Sequence, residues 1–369
     1  MPTYADPEGG CAVPADALQA WTAALLERFE TPPDIAAHVA EVLVAADRRA
    51  IASHGTARLP QYIALIEAGV MKPTARPRLV RSRTAIALFD ANNGWGHHAS
   101  RVALDTAIEG ARAHGSFTAI VRNSNHFGIA GWYALRAADA GLIGISMTNA
   151  SPVVAATRGV GPVVGTNPIA LAAPMRDHDH FCLDMATSTV TRGRVEVALR
   201  RNEALQPGWA VDGAGRPTTE PGAALEGALL PLGGLEETGG YKGYGLALLV
   251  DILTGVLGGG AAAPLIGPLF STTGGKADLG QTFVVIDPQA IEEPGAFEAR
   301  METEFRLLTE SATAPDAPGR ILVPGEPEME AERRSVERGV AIDREHHAAL
   351  QALGARAEVP FPDASPIGG

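Results

Sequence analysis

The string NSNHFG (residues 123–128) contains His126, the side chain of this sequence best suited to moving a proton. An imidazole titrates near neutral pH, so it can take up and return a proton during a reaction. The apolar residues 117–121 predict a buried strand that ends just before His126, and Gly128 predicts a sharp turn into a helix beginning near Ile129. Ligands gather at such strand ends beside helix N-termini. These features favour an acid/base role for His126, with a buried structural histidine as the alternative.

A second polar group consists of Ser53, His54 and Arg58, where a predicted helix over residues 33–51 ends and another begins with Pro60 in its first turn. His54 and Arg58 are four positions apart in the sequence and share a helix face if the later helix extends back to His54. Arginine suits a carboxylate because its planar fork donates two parallel hydrogen bonds. The alternative is a solvated arginine beside a histidine that ends the earlier helix.

The elements that must position these groups are predicted helices and strands in alternation, as in an α/β protein. None of the predicted strands is followed by GxGxxG, so a Rossmann dinucleotide unit is not indicated. The apolar residues 245–267 predict a buried helix and a glycine loop rather than a membrane span, because Asp251, three glycines and Pro264 interrupt them. Further strands are predicted at residues 79–80, 85–89, 181–185 and 281–287, and further helices at residues 14–31, 97–114, 189–202 and 297–308.

Composition narrows the classes of function. With 369 residues, 46% of them hydrophobic, the chain can bury one large core or two to three subdomains. Its 42 acidic and 30 basic residues give a net charge of −12, which argues against a nucleic-acid-binding surface. Two cysteines, Cys11 and Cys182, make neither a disulfide framework nor a zinc site, and they fit a reducing cytosol. No targeting signal is apparent, since residues 1–10 lack an apolar stretch.

Some groups are expected to lie outside any site. His97 and His98 begin a predicted helix and are expected to be surface groups. A metal site is the alternative, which the absence of a third ligand at a suitable spacing disfavours. Cys11 is expected in a frayed N-terminus, and residues 360–369 in a disordered tail.

Five strings, SHGTARLPQY, NSNHFG, VVGTNPIALAAP, LDMATS and YKGYGLA, occur in an order that resembles the type-2 malate/L-lactate dehydrogenase family. That family also contains ureidoglycolate dehydrogenase, sulfolactate dehydrogenase, diketogulonate reductase and a cyclic ketimine reductase. The resemblance extends from about residue 14 to about residue 327. It implies an α/β fold with a non-Rossmann cofactor domain, built on a mixed or antiparallel sheet with flanking helices, plus a helical N- and C-terminal part. The implied division is an N-terminal helical and substrate-site part at residues 1–117, a cofactor domain at 118–297, and a C-terminal segment at 298–369 that returns to the N-terminal part.

The resemblance also implies roles for individual residues. His126 would be catalytic, and the substrate would contact Ser53, His54, Arg58 and Tyr62. A nicotinamide cofactor, NAD or NADP, would contact Asn149, Ala150, Gly165, Thr166, Asn167, Asp184, Met185, Ala186, Lys242 and Arg300. Two of these have alternatives from the sequence, because Asp184 could simply cap the helix that follows it and Lys242 could be solvated.

The sequence departs from the family pattern in two loops. The loop at residues 229–240 is longer than is usual in the family. The loop at residues 258–280 is shorter, and this shorter loop is expected to leave one wall of the site more open. Arg194 replaces a usual lysine. Arg158 could meet the 2′-phosphate of NADP or be solvated, so the choice between NAD and NADP stays open.

The residues and the resemblance together predict reversible hydride transfer between NAD or NADP and C2 of a small anionic 2-hydroxy or 2-oxo acid, malate-like or lactate-like. The protein is expected to be a cytoplasmic homodimer with no nucleic-acid or membrane partner. One alternative is a ketimine or N-alkyl amino-acid reductase on the same scaffold, acting on a 2-imino acid. Another is a binding protein without turnover.

Overall fold

The computed structural model describes residues 9–176 and 179–367. The expectation for residues 1–10 therefore falls almost entirely outside the described residues, as does the end of the 360–369 tail. The helices are α1 (Ala15–Glu27), α2 (Pro33–Arg48), α3 (Leu59–Glu67), α4 (Gly96–His114), α5 (Ala130–Asp139), α6 (Arg192–Arg201), α7 (Pro221–Glu226), α8 (Gly240–Asp251), α9 (Ala296–Thr309), α10 (Glu326–Arg338) and α11 (Arg344–Ala357). The strands are β1 (Cys11–Val13), β2 (Arg78–Arg83), β3 (Ile86–Asp90), β4 (Ser116–Ser124), β5 (Ile143–Thr148), β6 (Val154–Ala155), β7 (Pro162–Val164), β8 (Ile169–Ala173), β9 (Phe181–Met185), β10 (Ala210–Val211), β11 (Pro217–Thr218), β12 (Ala228–Leu229), β13 (Leu279–Ile286), β14 (Val340–Ile342) and β15 (Ser365–Pro366).

A seven-stranded sheet in the order β2-β3-β4-β13-β5-β8-β9 forms the centre of the molecule. The β3–β4 pair is parallel and the other neighbours are antiparallel, so the sheet is mixed and the expected α/β, non-Rossmann fold is confirmed. Helices α4 and α5 pack on it through small side chains such as Ala107 and Ala134, which let the helices approach aromatic residues of the core. The expected boundary between residues 117 and 118 falls inside β4 and stays a prediction.

The N- and C-terminal segments pack together. Strand β1 pairs with both β14 and β15, and a shared core joins α1, α2 and α3 to α11. Cys11 pairs with Ile342 in this sheet, so the frayed N-terminus is wrong from Cys11 onward. Ser365 pairs with Ala12, so the disordered tail is also wrong at β15. These terminal segments are ordered by pairing with strands far away in the sequence, which cannot be predicted from their local composition.

A third, five-stranded sheet in the order β11-β10-β12-β6-β7 packs against α6, α7 and the inner face of α8. Helix α8 begins earlier than predicted, at Gly240, and continues as a π-helical turn over Ile252–Val256. It is not the buried helix expected, because its outer face exposes apolar side chains at 36–60% of their surface: Leu246, Leu249, Ile252, Val256 and Leu257. In the described part of the chain, no helix is both long enough and apolar enough to span a membrane.

Candidate active site

The loop between α2 and α3 carries the predicted carboxylate-binding group. It consists of two short 3₁₀ turns, Ala52–His54 and Thr56–Arg58, joined at Gly55. Arg58 Nε donates a hydrogen bond to the Ser53 carbonyl oxygen at 2.6 Å, while Ser53 Oγ lies 2.9 Å from His54 Nδ1. These bonds fix the inner edge of the Arg58 guanidinium and leave its two terminal amino groups for a ligand.

His126 follows the end of β4 and lies beside this loop, as predicted. Its ring stacks on that of His54, with centroids 5.4 Å apart, and is half-buried rather than enclosed in the core. Gly128, at φ 83°, makes the predicted turn before α5, and its backbone N–H donates to His126 Nδ1 at 3.3 Å. A backbone N–H can only donate, so Nδ1 is the unprotonated nitrogen and Nε2 carries the proton of the neutral ring.

Tyr62 lies behind His126. Its hydroxyl is 2.6 Å from His126 Nδ1, and its side chain is only 1% exposed. Burial raises the pKa of Tyr62, so this hydroxyl keeps its proton. The resemblance places Tyr62 in the substrate site, but in the structure its polar group contacts His126, through which it can act on a substrate.

Both site histidines are neutral near pH 7. Burial, with smaller contributions from His54, His97 and Arg58, lowers the pKa of His126 well below its usual range. Burial and then Arg58 lower the pKa of His54 to about 4. The free site therefore presents an uncharged imidazole N–H beside a permanently charged guanidinium, an arrangement that suits a carbonyl oxygen next to a carboxylate.

The surface position expected for His97 and His98 is wrong, since their side chains are 0% and 5% exposed. Helix α4 starts against the chain that carries His126, because a Cβ on Gly96 would lie 2.1 Å from the Asn125 carbonyl oxygen. The first turn of α4 is therefore interior. His97 lies with its ring edge-on to Tyr62, with centroids 5.4 Å apart. Within residues 9–176 and 179–367, no group of three or more potential metal ligands is present.

Phe270, from the short loop at residues 258–280, is a site residue that the sequence did not reveal. Its ring lies 5.0 Å from Arg58 Cζ and 5.6 Å, centroid to centroid, from His126. The loop is bonded to the predicted cofactor turn after β5, where Ser151 Oγ donates to the Gly267 carbonyl oxygen at 2.7 Å. The more open wall expected from the loop's length is thus occupied by an aromatic ring. The only sequence signal was an aromatic residue inside a Gly- and Pro-rich loop.

The predicted cofactor turns come together beyond this wall. Asn167, fully buried at φ 30°, accepts a hydrogen bond from Ala150 N at 3.0 Å and donates to the Ala247 carbonyl oxygen of α8 at 2.9 Å. Asn149 is also fully buried, and its amide bonds to the Ala261 oxygen and the Gly280 nitrogen. Both asparagines therefore fasten the turns with their side chains.

The turn between those asparagines is tightly packed at Gly165, which is buried. A Cβ on Gly165 would lie 2.3 Å from the Ala150 carbonyl oxygen, so only glycine fits there. The Thr166 carbonyl oxygen accepts from Thr187 N at 2.8 Å, which joins this turn to the chain after β9. The result is a cradle of small residues, with Ala150 and Thr166 half-buried beside Gly165, and it fits the expected nicotinamide cofactor.

The end of the central sheet beside this cradle also carries Asp184, Met185 and Ala186. Met185 pairs with Ile169, which follows directly after the glycine turn. Asp184 Oδ2 accepts from Gly131 N at 2.8 Å. The carboxylate thus caps α5, not the helix that follows it in sequence. Burial raises its pKa to about 6 although part of the side chain faces solvent, as expected for a group in a cleft.

The predicted cofactor cations lie in different surroundings. Lys242 is exposed in the first turn of α8, the helix that Asn167 contacts. Arg158 forms a bidentate pair with Glu236 at 2.6 and 2.7 Å. Arg300 pairs with Glu292 at 2.6 Å on α9, a helix that covers Phe181 at the opposite end of β9. Arg300 is therefore not assembled with the other predicted cofactor residues.

The family model described as malate/L-lactate dehydrogenase matches residues 13–351. The chain belongs to this family. Malate dehydrogenase of Pyrococcus abyssi is 41% identical over 316 residues, which are 85% of this chain and 86% of that relative. The structure of malate dehydrogenase from Pyrococcus horikoshii OT3 gives a TM-score of 0.88 at 36% identity and covers 97% of this chain and 98% of its own. That of delta1-piperideine-2-carboxylate reductase from Pseudomonas syringae gives 0.82 at 31% identity and covers 93% and 99%.

Family membership confirms the resemblance found in the sequence strings. The chain is an oxidoreductase of the type for which its relatives, malate, sulfolactate and ureidoglycolate dehydrogenases, are named. A binding protein without turnover, the last alternative from the sequence, is set aside.

Proposed function

We propose that this enzyme transfers a hydride reversibly between the nicotinamide of NAD or NADP and C2 of a small anionic 2-oxo or 2-hydroxy acid, malate-like or lactate-like. The observation that supports this most is the fixed His126 ring, whose Nδ1 is occupied by Gly128 and Tyr62 and whose Nε2 is left to face a substrate beside Arg58. A bound nicotinamide would supply or accept the hydride.

Arg58 orients the substrate. Its two terminal amino groups hold the carboxylate in a bidentate pair, while the bond from Nε to Ser53 prevents rotation. Neutral His54, stacked on His126, donates to the carboxylate or to the reacting oxygen. Phe270 excludes water from this side and strengthens both contacts, because charge interactions grow in a drier site.

His126 moves the proton at Nε2. The substrate carboxylate favours the imidazolium, which gives its proton to the oxygen as C2 is reduced and leaves a neutral ring. In oxidation, Nε2 must first present a lone pair, so the neutral ring takes the tautomer with hydrogen on Nδ1. That tautomer and the imidazolium both give up the 3.3 Å bond from the Gly128 N–H. The Tyr62 hydroxyl can accept from Nδ1 as well as donate to it, and it therefore supports both tautomers.

The cofactor is held by the cradle on the other side. Gly165 and Thr166, with their small side chains, would let backbone N–H groups approach its phosphates, and the exposed ammonium of Lys242 would add a positive charge. Ala150, whose own N–H is held by Asn167, would line the turn beside them. Asp184, held at Gly131 by one oxygen, offers its other oxygen to a ribose hydroxyl, with Met185 and Ala186 alongside. Asn149 and Asn167 act by holding the turns.

Reduction of a ketimine is the second candidate, supported by the similarity to the Pseudomonas reductase. A cyclic 2-imino acid presents the same carboxylate to Arg58 and the same planar C2 to a hydride, with C=N in place of C=O. A panel of 2-oxo acids and cyclic 2-imino acids, each offered with NADH and with NADPH, identifies the substrate class and the cofactor in one experiment.

His126→Ala tests the proposed proton transfer on the best substrate of that panel. Loss of general acid–base catalysis lowers kcat by about 10²- to 10⁴-fold. His114→Ala is the matched control, because His114 lies at the last turn of α4 and should leave kcat unchanged. Turnover of the His126 variant at the wild-type rate would contradict the assignment.

We also propose a homodimer, located in the cytoplasm. Monomers rarely expose a large contiguous apolar patch, and the outer face of α8 presents five large apolar side chains to solvent. The two free cysteines fit a reducing compartment. Leu249→Glu together with Ile252→Glu should convert the dimer to a monomer in light scattering, and cell fractionation tests the location.

A further inference from the structure

The loop that carries Ser53, His54 and Arg58 has few regular backbone bonds of its own. Each 3₁₀ turn is a single short turn, and the chain between the turns passes through Gly55. Positioning by Arg58 nevertheless requires that the loop hold still, because two parallel hydrogen bonds to a carboxylate depend on the place and angle of the guanidinium. The groups that hold it from behind therefore matter to catalysis.

Asp47, in the last turn of α2, contacts this loop directly. Its Oδ2 accepts two hydrogen bonds from Thr56, one from the backbone nitrogen at 2.9 Å and one from Oγ1 at 2.6 Å. Its Oδ1 lies against Gly55, where a Cβ would be only 1.8 Å away. Asp47 is 7% exposed and Thr56 is fully buried. The Asp47 carboxyl group therefore packs against Gly55 and bonds to Thr56, which holds the junction between the two turns in place.

A third segment completes the contact. Thr56 Oγ1 lies 3.1 Å from Nε2 of His346, on α11 near the C-terminus. Because the hydroxyl hydrogen is given to Asp47, the Thr56 oxygen accepts from His346. The junction of the loop is therefore bonded to α2 on one side and to α11 on the other.

The arrangement costs stability. Asp47 Oδ1 is buried without a hydrogen-bond partner in the described structure, and an unsatisfied buried polar atom is unfavourable. A neutral apolar residue would fill the space at less cost but would leave the Thr56 nitrogen without an acceptor.

We propose that Asp47 is a positioning residue for substrate binding: through Thr56 it holds the loop so that Arg58 and His54 meet the substrate carboxylate. This inference rests on the proposed function and extends it to a residue that touches no substrate.

The test compares Thr56→Val, which removes the hydroxyl at constant shape, with Thr56→Ser, which restores it. Thr56→Val and Asp47→Ala should raise KM for the 2-oxo or 2-imino acid about tenfold or more, with kcat and the Kd of the reduced cofactor within about twofold of wild type. Thr56→Ser and Asp47→Asn, which keeps an acceptor for the Thr56 nitrogen, should return KM to within about threefold of wild type.

Thr22→Val is the matched control for stability. Thr22 is also fully buried in the N-terminal core, but its hydroxyl bonds only to Leu18 of its own helix. Thr22→Val should lower Tm as Thr56→Val does, but it should leave KM for the acid unchanged. An equal rise of KM in both valine variants, or an unchanged KM in Thr56→Val, would overturn the proposal.

Amide hydrogen exchange separates this inference from the proposed function. In Asp47→Ala, exchange at residues 52–58 should accelerate about tenfold or more while exchange in α2 stays slow. If the wild-type enzyme reduced no acid of the panel, the proposed function would fail, and amide exchange in Asp47→Ala would then decide whether Asp47 holds the loop. Unchanged exchange at Thr56 would overturn the positioning role. Selective acceleration there would support it.

Discussion

Tyr62→Phe removes one hydroxyl from behind His126 and should slow catalysis without disturbing the fold. The phenyl ring keeps its place in the buried cluster, edge-on to Trp95 with centroids 5.3 Å apart. The loss is one hydrogen bond of 2.6 Å to a buried nitrogen. Depriving a buried polar group of its partner costs about 1–3 kcal/mol.

This cost falls on the tautomer with hydrogen at Nδ1, which then has no acceptor. At 1.36 kcal/mol per factor of ten, we expect kcat/KM to fall by about 5- to 150-fold. Because the overall equilibrium constant is fixed, the same factor must appear in oxidation and in reduction when both are measured at one pH. Cofactor Kd should not change.

The assay is initial-rate kinetics in both directions, with Tyr133→Phe as the control. Tyr133 is also fully buried, and its hydroxyl donates to the Phe127 carbonyl oxygen at 2.6 Å. Both variants should lose thermal stability, but Tyr133→Phe should keep kcat/KM within about threefold. Retention of kcat/KM within twofold in Tyr62→Phe would refute the proton route through Nδ1.

Four other outcomes are expected. Arg58→Ala should raise KM for the acid by about 100-fold or more through loss of a bidentate carboxylate contact, and unchanged KM would remove the clamp. Burial lowers the pKa of His126, so its ring is neutral in the free enzyme at any pH above that pKa. Reduction needs the protonated ring, so kcat/KM for reduction should fall as pH rises through neutrality, while kcat/KM for oxidation stays level. A level profile for reduction would contradict this assignment. Phe270→Ala should admit acids with bulkier side chains and raise KM for the smallest one, as a substrate series will show. Glu236→Gln should free Arg158 and lower KM for NADPH relative to NADH; an unchanged ratio would place Arg158 away from the 2′-phosphate.

Local chemistry made much of the site predictable. The glycine turn after His126 and the helix behind it follow from neighbouring residues, because a positive φ and a helix start are decided within a few positions. The small-residue turn at Gly165 is local in the same sense. The family strings then connected these separate segments, and the family match confirms that connection.

Other contacts depend on residues far apart in the chain. Strand β13 lies between β4 and β5, and this pairing determines where the loop with Phe270 emerges. The surface position predicted for His97 was wrong because a place at a helix start does not show which distant segment covers the first turn.

The sequence by itself determined the family, the α/β character and the side chains able to carry a proton or bind a carboxylate, since these reside in residue types and short turns. The tertiary structure decided which of those side chains face one another. Tyr62 lies behind His126, Asp47 lies behind the Arg58 loop and Arg300 lies elsewhere, because each position depends on packing between segments that only the folded chain brings together.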